Sequence, residues 1–60
     1  MEVKHMYYED FVIKYVDKKY RNGFKRQMEA WMHTSKLYGT WCRIGVLRAA
    51  YKQTVRDMEE

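Results

Sequence analysis

The fold turns on DKKYRNGFKR, Asp17 to Arg26, a decapeptide dense in positive charge with Asn22-Gly23 at its centre. Asn-Gly is the strongest short signal for a β-hairpin turn. The same pair also tolerates the left-handed conformation that ends a helix. The residues on either side decide between these readings. Upstream, Tyr8, Phe11, Val12, Tyr15 and Val16 recur at i, i+3, i+4, i+7 and i+8, while Asp10, Lys14, Asp17, Lys18 and Arg21 gather on the opposite side. That is helical spacing. A half-buried strand would alternate, yet Phe11-Val12-Ile13 and Tyr15-Val16 set apolar residues side by side. The reading that follows is a first helix over about residues 7–21, stopped by Gly23.

Downstream, Phe24, Met28, Trp31, Ser35 and Tyr38 share a face, with Lys25, Arg26, Glu29, His33 and Lys36 opposite. This predicts a second helix over about 24–38, with Trp31 in the core. Gly39-Thr40 then ends it, and Thr40 caps a third helix over about 41–58. On that helix Trp41, Ile44, Leu47, Tyr51, Val55 and Met58 form an apolar arc. Cys42, Gly45 and Ala49 form a stripe of small residues beside it. Glycine inside a helix costs roughly 1 kcal/mol relative to alanine, so Gly45 implies close approach of another backbone, within the chain or across a dimer. Residues 1–60 are thus expected to form one all-α domain, a small three-helix bundle or a helical hairpin plus third helix, as a monomer or a dimer.

Composition narrows the function. A chain of 60 residues buries only about 60% of its unfolded surface, so it needs very good packing or a partner. Cys42 is the sole cysteine, which removes any disulfide within the chain, and no Cys/His cluster suggests structural zinc. MEVKHMYYEDF carries acids where a signal peptide would be apolar, and no apolar run reaches spanning length. The expected setting is cytoplasmic, with no membrane partner. Six tyrosines, two tryptophans, two phenylalanines and five methionines dominate the apolar set. Tyr, Trp, Met and Arg are the types enriched at protein interfaces.

No catalytic constellation is visible. Glu29 and His33 lie one turn apart and Glu2 and His5 three residues apart, with nothing to converge on them. Cys42 beside Arg43 reads as a packing residue. The expectation is a non-enzyme without cofactor or metal. Charge is more informative. Lys14 to Arg26 holds six basic residues and one acid, and Ala30 to Arg56 holds no acid at all, within a total of +4. The candidate partner-binding residues are Lys18, Lys19, Arg21, Lys25 and Arg26, together with the i, i+4, i+8 row Arg48, Lys52 and Arg56. Trp31, Trp41, Cys42, Gly45 and Ala49 are the candidate helix-packing or dimer contacts. The function expected first is stoichiometric regulation or inhibition of a larger, acidic protein, in the manner of small phage or bacterial inhibitors. A small DNA- or RNA-binding protein is the alternative, although no known nucleic-acid motif fits.

Overall fold

The computed structural model describes residues 4–59 and is mostly helical, with a two-stranded sheet that the all-α expectation does not contain. Strand β1 is His5–Tyr7 and leads directly into helix α1, Tyr8–Tyr15. A single 3₁₀ turn, Lys18–Tyr20, precedes helix α2, Arg21–Met32. A loop over 33–40 returns the chain to strand β2, Trp41–Arg43, which runs without a break into helix α3, Ile44–Glu59.

Asn22-Gly23 is neither a hairpin turn nor a helix stop. Both residues lie in the first turn of α2. The break falls earlier, where Val16 and Asp17 adopt extended backbone (ψ 118° and 146°) without any glycine or proline. Val16 turns inward there and is buried. The Val16 carbonyl accepts a hydrogen bond from Arg21 Nε at 3.1 Å, which pins the corner. Gly23 has a different task. A Cβ on it would stand 2.7 Å from Met58 Sδ and 3.0 Å from Thr54 Cγ2, so its missing side chain lets α2 lie directly on α3.

That approach fixes which side of α3 faces inward. Leu47, Ala50 and Thr54 are its buried residues, a face that shares Leu47 with the expected arc and is rotated from it toward Ala50 and Thr54, while Tyr51 and Val55 pack at the core's edge and Trp41 stays exposed. Small residues at 50 and 54 are what a close helix pair requires. The Thr54 hydroxyl is buried without penalty because it donates to the Ala50 carbonyl at 2.8 Å. On the α2 side Phe24 and Met28 are completely buried. Phe24 is the hub of the core: its ring lies 5.6 Å from both Tyr8 and Phe11 and 5.8 Å from Tyr51.

Helix α2 ends at His33, which takes the left-handed conformation (φ 56°) and donates its N–H to the Glu29 carbonyl. Residues 34–38, expected in the helix, belong to the loop instead. There Leu37 is fully buried, and Gly39 supplies the positive φ of 81° that turns the chain. Thr40 is not a helix cap. Its hydroxyl donates to the Lys36 carbonyl, and its own carbonyl accepts the Tyr8 N–H at 3.0 Å. The latter bond satisfies one of the orphan N–H groups at the start of α1. With Ile44 N–H donating to the Lys4 carbonyl at 2.9 Å, it extends the ladder beyond both ends of the three-residue strands.

The tryptophans are not core residues. Trp31 is 42% exposed and Trp41 56% exposed. Gly45 has open space where a Cβ would go, and Ala49 is exposed. Cys42 is buried but sits on β2, so it forms no helical stripe with them. The close approach expected at Gly45 is made at Gly23.

This assignment predicts the outcome of substituting Gly23. Alanine in a helix interior ordinarily gains about 1 kcal/mol over glycine. Here denaturant titration of Gly23→Ala is expected to show no such gain, because the new methyl meets Thr54. Thr54→Ser keeps the hydroxyl and removes its methyl, and the nearer Met58 sulfur sits at the far end of a flexible side chain that can swing aside, so Gly23→Ala should become favourable in that background. A full gain from Gly23→Ala alone would remove the close helix contact from the account.

Candidate functional site

The register of the ribbon creates a surface that the sequence pattern did not announce. His5 pairs with Arg43, Met6 with Cys42 and Tyr7 with Trp41, antiparallel. Successive side chains of a strand point to opposite faces. Met6 and Cys42 therefore share the inner face, where Cys42 belongs to the core and Met6 packs against it. His5, Tyr7, Trp41 and Arg43 share the outer face. The Tyr7 and Trp41 rings meet edge-on with centroids 4.8 Å apart. His5 lies nearly parallel to Trp41, at 5.7 Å and 5° between planes, the diagonal contact expected across two strands. Tyr7 and Trp41 remain 41% and 56% exposed.

Because β2 flows into α3, the outer face continues along that helix. A shallow hollow lined by Lys4, His5, Arg43, Ile44, Gly45 and Arg48 joins the two elements. A second, lined by Phe11, Tyr15, Ile44, Arg48 and Tyr51, opens beside it. A third runs on through Arg48, Tyr51, Lys52, Val55 and Arg56. All three meet at Arg48, and none of the three has an acidic residue in its lining. The row Arg48, Lys52 and Arg56 is solvent-exposed along its length. Acids on the last turns of α3 have other partners. Asp57 accepts from Gln53 at 2.8 Å, and Glu59 accepts the Tyr20 hydroxyl.

The second predicted group is placed elsewhere. Lys19 lies 3.8 Å from Glu59 and 4.9 Å above the Tyr20 ring, an exposed clasp that solvent screens. Arg21 holds the Val16 carbonyl. Arg21 and Lys25 line a separate hollow with Tyr8, Asn22 and Tyr38, and that one includes the acid Glu9. Lys18, Lys25 and Arg26 are exposed. The eight basic candidates thus divide between two regions. Lys4, His5, Tyr7 and Arg43 join the α3 group without having been candidates. Alternation in HMY and WCR was the available signal for them, but it spans only three residues in each case.

Among the described residues no cluster of three His, Cys, Asp or Glu gathers, and no helix is long and apolar enough to cross a membrane. Burial raises the Cys42 thiol above its usual range, which disfavours the thiolate, the nucleophilic form. Accepting the Tyr20 proton, Glu59 holds that phenol above its ordinary range as well. Burial does the same for Tyr8, helped by Tyr38 and Glu29. No family model, curated protein or solved structure matches this chain.

The raised values of Cys42, Tyr8 and Tyr20 predict the direction of pH dependence. Each binds its proton more tightly when folded, so its contribution is complete below the unfolded value and declines as pH rises. Thermal melts report this decline. They should fall once pH passes the ordinary thiol range near about 8.5, and more steeply beyond the phenol range near about 10. A melting temperature that rises through this window would contradict the burial of Cys42 and Tyr8 and the Tyr20–Glu59 bond.

Proposed function

We propose that the protein is a non-enzymatic binding module that docks stoichiometrically on a larger polyanionic macromolecule and regulates it by occupancy. One observation carries this reading: five cations, Lys4, Arg43, Arg48, Lys52 and Arg56, lie along hollows whose linings contain no acid. The net charge of the chain is only +4, yet the three hollows that meet at Arg48 hold cations and no acid. Such segregation favours complementary association more than stability, because like charges along one face repel in the free protein. Exposed rings at one end of the surface supply rigid apolar contact area of the kind that anchors interfaces.

The small size of the domain suits this role. Its interior is filled by its own side chains, and its hollows are open grooves rather than enclosed cavities, so a macromolecular surface is a better ligand than a small molecule. The proposal separates local charge arrangement from net charge. Retention on a heparin resin should drop to clearly lower salt for Lys52→Glu/Arg56→Glu. It should change little for Lys14→Glu/Lys36→Glu, which alters net charge equally on other parts of the surface. Equal shifts for the two pairs would reduce the effect to overall charge and overturn the reading.

A further inference from the structure

The row on α3 would attract any polyanion, but the ribbon beside it is more selective. We infer that the outer face of the ribbon is a stacking platform for unpaired bases, so that the polyanion is single-stranded nucleic acid. This inference rests on the reading above and adds the chemistry of the partner.

Three aromatic rings, His5, Tyr7 and Trp41, project from one face of a backbone ladder that fixes their spacing. They are already packed on one another, Trp41 against His5 in parallel and against Tyr7 edge-on, so little rotamer freedom is left to lose on binding. Trp41 nevertheless keeps more than half of its surface open to solvent. Arg43 stands in register on the same face, opposite His5. Lys4 adjoins the ribbon through its hydrogen bond to Ile44. Open rings flanked by cations that lead into a basic groove are the recipe for binding a single strand: phosphates follow the charges while bases lie on the rings. A duplex hides the faces of its bases inside the stack and offers the rings nothing planar. An acidic protein would also pack on exposed rings, but the nearly parallel His5 and Trp41 rings present the flat kind of face on which a base stacks.

The platform contains one of the chain's two tryptophans, which supplies a direct readout. Trp31→Phe, a replacement at an exposed position, leaves Trp41 as the sole indole. Titration of that protein with a short oligothymidylate at low salt is expected to quench Trp41 emission saturably. Heparin should bind through α3 without comparable quenching, and a duplex of the same length should bind more weakly than the single strand. Trp41→Ala should weaken oligothymidylate binding on the order of tenfold or more and leave the salt dependence unchanged. Lys52→Glu/Arg56→Glu should lower the salt slope by about 0.7 for each phosphate the protein no longer neutralises. Quenching is measured with Trp41 in place, so the test does not depend on the alanine variant folding.

Binding of oligothymidylate without quenching in Trp31→Phe, or with full affinity in Trp41→Ala, would overturn the platform and leave the polyanion-binding reading standing. Retention of heparin or polyglutamate without any affinity for oligothymidylate would do the same and point to an acidic protein. Loss of heparin binding that ignores the position of the reversed charges would instead remove the underlying reading.

Discussion

The approach of α2 to α3 at Gly23 is the constraint on which the rest of the structure depends. Without a side chain at that position, Thr54 and Met58 can lie against the backbone of α2. Phe24, the next residue, is then carried into the middle of the core, where Tyr8, Phe11 and Tyr51 surround it. Tyr8 and Phe11 are how α1 is held, since these are its two buried residues. Tyr8 also donates its N–H to Thr40 and so ties the start of α1 to the end of the loop that delivers β2. The position of the ribbon, and with it the direction in which His5, Tyr7, Trp41 and Arg43 face, follows from that chain of contacts.

Much of this was legible in the sequence where the pattern was long. Helical spacing from Phe24 to Met28 and the cationic row on α3 need only periodicity, and both appear as read. The parts that were not legible are those decided by a partner in space. Asn22-Gly23 carries a strong local turn signal, but a glycine is equally valuable where two helices touch, and only the position of α3 distinguishes these uses. The inward side of α3 was read from its large residues. Close packing keeps Leu47 from that reading and adds Ala50 and Thr54, which a search for large apolar residues passes over. Leu37 is buried from within an irregular loop, where periodicity has no meaning.

The ribbon escaped for a different reason. Two strands of three residues are too short for alternation to stand out, and Trp41 also fits an apolar helical arc beginning at that point. Its aromatic pairing across the strands is a tertiary fact, available only once Thr40 and Tyr8 have been joined. Periodicity therefore marks the row Arg48, Lys52 and Arg56 and leaves out Lys4, Arg43 and the paired rings of the ribbon. The basic cluster that first drew notice, from Lys18 to Arg26, is partly committed to the fold, through Arg21 at the corner and Lys19 at Glu59.

The account rests on a division of labour between two regions that carry the same sign of charge. In one, cations hold the corner between α1 and α2 and the end of α3. In the other, they line acid-free hollows next to exposed rings. Backbone amide shifts of the isotopically labelled protein, recorded while oligothymidylate is added, test this division directly. The account predicts perturbations concentrated on residues 4–7 and 41–43 and along α3 at Arg48, Lys52 and Arg56, with the corner from Asp17 to Arg26 unmoved. Perturbations centred on that corner, with the ribbon silent, would contradict it.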